Sequence, residues 1–154
     1  MGASGFFDYP TGEPPETQAG VPAGTEHEPG FLEEANEREW EALLAFTQTQ
    51  YFSTGEPVFK EGQTDRSLYL LTAGRLALTA GGELVTELDP MAPINEIAFL
   101  DRGVCAVTAT ALANSEVLRL SYDAFESLAV REPVLARKLL FDVGRIVARA
   151  LRGL

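Results

Sequence analysis

Between Gln50 and Leu120 short apolar runs alternate with glycines, and this pattern restricts the fold more than any other feature of the chain. Runs rich in β-branched, aromatic and other apolar residues read as strands at Gln50–Phe52, Pro57–Phe59, Ser67–Thr72, Arg75–Ala80, Glu83–Leu88, Ala106–Ala113 and Glu116–Ser121. Gly55, Gly62, Gly74, Gly81 and Gly82 separate them. The pair Gly81-Gly82, between Leu78 and Leu84, is a tight-hairpin signal. Many short strands at close spacing predict a sandwich, barrel or roll. One stretch differs: Ile94–Leu100 reads as a short helical turn inside the β region, with Asn95 placed to cap its start.

Helical periodicity flanks this β region. Leu32, Trp40, Leu43, Leu44 and Phe46 predict a first helix over Phe31–Thr47, and Glu33, Glu34, Glu37 and Glu39 crowd its first half, where the helix dipole favours acids. After Ser121 a short helix is expected over Tyr122–Val130, with Asp123 near its start. Glu132-Pro133 then opens a longer one, since proline suits a first helical turn. Leu135, Leu139, Val143, Ile146 and Ala150 lie along one face of that helix, and Leu140, Val147 and Leu151 widen it. So wide an apolar face predicts packing on the domain with one edge and on a second protomer with the other, the alternative being that the domain covers all of it. A homodimer through Leu135, Leu139, Val143, Ile146, Val147 and Ala150 is therefore expected.

Residues 1–30 read as a tail. Pro10, Pro14, Pro15, Pro22 and Pro29 are mixed with Gly, Glu and Thr, a composition that cannot bury enough apolar surface to offset its ordering entropy. Phe6-Phe7, with Tyr9, is either a chance apolar spot or a docking point on the domain or a partner. Residues 31–154 form the folded domain, and 154 residues suit one domain.

Charge and residue types exclude several functions. The net charge of −11 opposes a nucleic-acid or anionic-membrane partner. No apolar run approaches the roughly 20 residues that span a bilayer, and Met1–Gly20 lacks the marks of a signal peptide, so a cytoplasmic location is expected. A lone cysteine, Cys105, excludes an internal disulfide and reads as a small buried apolar residue rather than a reactive thiol. The single histidine, His27, lies in the tail and cannot assemble a metal site or a Ser-His or Cys-His nucleophile. No Walker or Rossmann glycine loop is present. The chain is expected not to be an enzyme.

The order of helix, β-roll, embedded short helix, last strands and long helix resembles the cyclic-nucleotide-binding domain family over residues 32–152. Gly55-Glu56-Pro57-Val58-Phe59-Lys60-Glu61-Gly62 looks like that family's opening hairpin, and Leu68-Tyr69-Leu70-Leu71 before Gly74 like its next strand and turn. The resemblance implies a mainly β fold with flanking helices: a cyclic-nucleotide-binding-like β-roll, or double-stranded β-helix, with an N-terminal helix and a long C-terminal helix.

The resemblance also implies a phosphate-binding cassette at Ile94–Thr108. In the family this stretch usually holds Phe-Gly-Glu, a short helix, then Pro-Arg and a small residue. The Arg pairs with the cyclic phosphate and the Glu accepts from the ribose hydroxyl. Placed without gaps, Glu96 matches the Glu, Ile94 and Asn95 replace Phe-Gly, Val104-Cys105 replace Pro-Arg, and Ala106 follows. Met91 replaces another usual Gly. Losing a charge-assisted partner of a buried anion costs on the order of 2–5 kcal/mol, a factor of roughly 30 to several thousand in affinity. Arg102, three residues before Cys105, is the alternative cation; otherwise it is a solvated loop residue beside Asp101. Glu96 either keeps its ligand role or caps backbone amides.

The candidate ligand-contact set is therefore Asn95, Glu96, Ile97, Ala98, Arg102, Cys105 and Ala106, with no metal and no cofactor beyond a possible cyclic nucleotide. The expected function is a stand-alone regulatory or dimerisation module with lost or weakened nucleotide binding. The alternatives are a small-molecule sensor acting through a partner protein and an interaction scaffold using the last helix. Related bacterial activators continue into a helix-turn-helix domain, whereas this sequence stops at Leu154, so direct DNA reading is not expected.

Overall fold

The computed structural model describes residues 30–153. The tail reading, with Phe6, Phe7, Tyr9 and His27, falls outside the described residues apart from Gly30. The elements run α1 (Glu37–Ala45), β1 (Gln48–Phe52), β2 (Pro57–Phe59), β3 (Leu68–Ala73), β4 (Leu76–Ala80), β5 (Glu83–Leu88), β6 (Ala92–Ile94), α2 (Glu96–Asp101), β7 (Thr108–Ala111), β8 (Ser115–Leu120), α3 (Tyr122–Arg131) and α4 (Pro133–Arg152). The strands form two four-stranded antiparallel sheets, β1-β8-β3-β6 and β2-β7-β4-β5. This is the roll with flanking helices that the glycine pattern predicts.

Two turns show why glycine sits where it does. Gly81 and Gly82 have φ of 62° and 84° and join the paired residues Ala80 and Glu83 in a two-residue hairpin. Positive φ at both central positions lets the turn follow the twist of its strands. At Gly74, with φ 95°, a Cβ would come within 2.6 Å of the Asn114 carbonyl oxygen, so only glycine fits.

The sheet β1-β8-β3-β6 has an apolar layer on each face. Strand periodicity sends Leu68 and Leu70 of β3 toward the helices, and Tyr69 and Leu71 into the roll. On β8, Leu118 and Leu120 join the helix side and Val117 the roll side. The helix-side layer takes Leu43 of α1, Phe99 of α2, Phe125 and Leu128 of α3, and Leu135, Leu139 and Val143 of α4.

Three expectations change. The first helix begins at Glu37 rather than Phe31, because Asn36 and Glu39 form a reciprocal capping box there. Upstream, Leu32 sits at φ 54°, and its N–H donates to Asp142 Oδ2 at 2.8 Å, fixing the turn before α1 to α4. The strand β6, Ala-Pro-Ile, carries no sequence signal, and Pro93 is tolerated because β6 is a sheet edge. On α4, Leu135, Leu139 and Val143 are 2%, 0% and 0% exposed, so their own domain covers them and no second copy can reach them. Ile146 packs partly on the same layer, Val147 is half-buried and Ala150 exposed. The outward apolar side chains are instead Val134, Leu140, Phe141 and Leu151.

Candidate functional site

The short helix α2 is bounded by two left-handed residues, Asn95 (φ 72°) and Arg102 (φ 65°). Asparagine enters this region more readily than most side chains, so Asn95 can hold a bend where the resemblance puts a glycine. Its expected capping role is not what the structure shows. The side chain makes no cap hydrogen bond; its Nδ2 donates to the Asp65 and Ser67 carbonyls, each at 2.8 Å. Asn95 is buried and ties the start of α2 to the loop before β3.

That loop is organised by Asp65. Its carboxylate accepts from Ser67 N–H at 3.0 Å and from the Tyr69 hydroxyl at 2.5 Å, with Arg119 at 3.9 Å. Burial alone would raise the Asp65 pKa, but the Tyr69 and Ser67 hydrogen bonds and the Arg119 charge hold it below the usual value. Burial, then the Asp65 carboxylate, pushes the Tyr69 phenol well above its usual range. The sequence reading passed over Asp65 and Ser67; an Asp two residues before a Ser at the start of a strand is the local turn signal that marks them.

Cys105 faces the same loop from the other side. It is 0% exposed, its N–H donates to the Gln63 carbonyl at 2.9 Å, and its thiol lies 3.7 Å from the Asp65 carbonyl. Burial and then the Asp65 charge raise its pKa, leaving a neutral thiol. Its neighbours are the roll layer of Phe59, Tyr69, Leu71, Leu76, Ile94, Ala109, Ala111 and Val117.

The other candidate residues divide by exposure. Ala98 is a fully buried residue of α2, whereas Ile97, Arg102 and Ala106 face solvent. Glu96 is half-buried, burial raises its pKa, and among the described residues no side chain partners its carboxylate. Asp101 accepts from Gly103 N–H at 2.8 Å, and no ion pair with Arg102 forms among the described residues. The structure thus brings Asn95 and Cys105 together on the Asp65 loop and leaves Arg102 outside. Between 94 and 106 it supplies a carboxylate and no buried cation, which does not fit a buried phosphate. Among the described residues no His, Cys, Asp and Glu cluster could hold a metal ion, and no helix is long and apolar enough to cross a membrane.

A half-buried cation does lie nearby. Arg66 stacks on the Tyr122 ring, its guanidinium carbon 3.6 Å from the centroid, and its Nε and Nη2 are buried without a hydrogen-bond partner. Its guanidinium thus lies on an aromatic face of α3.

Comparison with known proteins agrees with this architecture. The sequence model of the cyclic nucleotide-binding domain matches residues 49–132, more than half of the chain. The chain is 29% identical over 119 residues to the cyclic AMP receptor protein of Thermus thermophilus, covering 74% of this chain and 53% of that protein. It is 28% identical over 116 residues to a CRP-like cAMP-activated global transcriptional regulator of Mycobacterium tuberculosis, covering 72% and 50%. The chain thus spans about half the length of these curated relatives. The crystal structure of Thermus thermophilus catabolite activator protein superposes with a TM-score of 0.69 at 26% identity, over 80% of this chain and 58% of that one. The N-terminal domain of a transcriptional regulator from Streptomyces coelicolor shares the fold, with a TM-score of 0.68 at 23% identity over 78% and 89% of the two chains. With the roll, its embedded helix and the matched sequence all in place, the chain belongs to the cyclic nucleotide-binding domain family.

Proposed function

We propose that the chain is a regulatory domain of this family whose cyclic-nucleotide binding is lost or strongly weakened, and that it acts by self-association. One observation carries the first part: Cys105, which the resemblance sets at the position of the family's phosphate-pairing arginine, is fully buried and neutral. Asn95 supports it, since the side chain replacing the family's glycine is committed to two internal hydrogen bonds. An anion placed there would keep its desolvation cost without a cation to offset it. Titration of the purified protein with cyclic AMP and cyclic GMP by calorimetry is expected to give no micromolar binding; binding at micromolar or tighter affinity overturns the reading.

Self-association rests on the outer side of α4. Leu140 is 39% exposed and Leu151 62%, and three helical turns apart they face the same side of α4. A second copy is the occupant in keeping with a helix whose other face is already covered. Sedimentation across a concentration series is expected to show a dimer that Leu140→Ala/Leu151→Ala weakens. A monomer at every concentration removes this half of the proposal and leaves the first intact.

Sensing of a less anionic ligand is the second reading, and the Glu96 carboxylate, which no side chain partners among the described residues, favours it. A half-buried acceptor suits a hydroxyl donor. Glu96→Gln is then expected to weaken any neutral polyhydroxyl ligand found in a binding screen, and unchanged affinity rejects that role. Arg102→Ala tests in the same way whether Arg102 serves as the replacement cation.

A further inference from the structure

A groove of about 160 Å³ runs between the turn that precedes α1 and the middle of α4, lined by Gly30, Leu32, Arg137, Phe141, Asp142 and Arg145 among others. It is small beside the 300–1,000 Å³ of typical small-molecule sites, so it suits an inserted side chain rather than a nucleotide. Its floor is fixed, because the Leu32 N–H donates to Asp142 at 2.8 Å. Its cations are not equivalent. Lys138 is held by Glu39 at 2.9 Å and Arg145 is paired with Asp142, whereas Arg137 is exposed and has no ion-pair partner among the described residues. Beside it stands Phe141, an aromatic ring turned outward from a helix.

We propose that this groove receives the chain's own N-terminal segment, with Phe6 or Phe7 set against Phe141 and Asp8 toward Arg137. Three observations select this occupant. Residues 1–29 run directly into Gly30, which itself lines the groove. The segment carries Asp8, Glu13, Glu16, Glu26 and Glu28 and no Lys or Arg, while the outer side of α4 carries Arg137, Arg145, Arg149 and Arg152. Its aromatic residues, Phe6, Phe7 and Tyr9, surround the first of those acids. Glu33, Glu34 and Asp142 also line the groove, and an incoming carboxylate that avoids them is left with Arg137.

Reach is sufficient. The 23 residues from Phe7 to Gly30 span roughly 25 Å even as a random coil, close to the ~30 Å length of a 20-residue helix. A tethered segment meets its groove at roughly millimolar effective concentration, so a weak contact is enough. Phe141 lies on a different side of α4 from Leu140 and Leu151, so a docked segment leaves the surface proposed for self-association uncovered. The docking itself does not depend on that association.

The full chain permits a direct test. Cys105 is 0% exposed, so a cysteine introduced as Ser4→Cys takes a nitroxide label selectively. The expected result is a loss of amide signal at Arg137, Phe141 and Arg145 with the β5 amides unaffected. That loss is expected to disappear in the labelled Phe6→Ala/Phe7→Ala variant and to shrink in Arg137→Glu. Uniform or absent broadening overturns the proposal, as does broadening that survives loss of both phenylalanines. A mixture of isotope-labelled chains with spin-labelled, isotope-free chains separates docking within a chain from docking between copies; broadening transferred between molecules overturns it. Sedimentation reads self-association independently, so failure of one proposal is distinguishable from failure of the other.

Discussion

The two apolar layers on either side of the β1-β8-β3-β6 sheet are made of different materials. The helix side is leucine and phenylalanine, with Val143 and Ala136 its only smaller buried residues. The roll side contains Cys105, Ala109 and Ala111, and its end is bounded by the polar set Asp65, Tyr69 and Asn95. Large side chains locked between sheet and helices supply most of the burial. Small ones facing the roll keep its interior narrow, and the polar set defines its end. Stability should therefore concentrate on the helix side. The roll side holds Cys105, on which the proposed loss of nucleotide binding rests, and it should be sensitive to charge more than to volume.

The largest effect is expected from placing at Cys105 the arginine that the resemblance sets there. Cys105→Arg forces a guanidinium into a fully buried apolar position and is expected to cost about 3–5 kcal/mol. Urea denaturation measures it. If the cassette keeps its phosphate geometry, millimolar cyclic AMP should recover part of the lost melting temperature of this variant and none of the parent's. A variant as stable as the parent would mean that the roll end is open to water, and the contrast between the layers would fail.

Leu139→Ala, on the helix side, is expected to cost about 3 kcal/mol, because Leu139 is fully buried between the sheet and α4. Cys105→Ala removes one sulfur atom and is expected to cost about 1 kcal/mol. Comparable urea midpoints for the two variants would break the comparison outright.

Asn95 tests the polar end. Asn95→Ala loses two internal hydrogen bonds and keeps an unfavourable left-handed backbone, for about 2 kcal/mol. Asn95→Gly loses the same bonds but removes the backbone cost, so about 1 kcal/mol is expected. If the glycine variant is the less stable of the two, the backbone is not the reason for Asn at this position.

The contrast also explains what the sequence reveals and what it hides. The strands of the roll are legible because glycines mark their ends and both layers demand apolar residues, as in Leu68-Tyr69-Leu70-Leu71. The cassette is legible as a departure, since Glu96 and Cys105 can be placed by their spacing from α2. What Asn95 does is not legible, because its partners are carbonyls 28 and 30 residues away. The face of α4 is half legible. Periodicity finds Leu135, Leu139 and Val143, but the choice between one's own domain and a second copy is made by sheet residues far along the chain. The turn at Leu32 is hidden for the same reason, being held by Asp142.

Glu39 and Glu96 are opposite cases of a carboxylate in this fold, and they give the two smallest effects. Lys138 and the Asn36 N–H hold the Glu39 pKa below its usual 4.5, so its contribution is present above that pH and is lost as pH falls through the folded value. Glu39→Gln is expected to cost about 1 kcal/mol at neutral pH and nothing in strong acid. Burial raises the Glu96 pKa above 4.5 with no cation to counter it. The folded state then holds its proton more tightly than the unfolded chain, and stability falls as pH rises from 4.5 through the folded value. Glu96→Gln should therefore be the more stable protein above that window, and the two should converge below it. Urea midpoints across a pH series read both variants. If the Glu96 pair shows no pH-dependent difference, water reaches that carboxylate freely, and the end of the roll is less dry than Cys105 indicates.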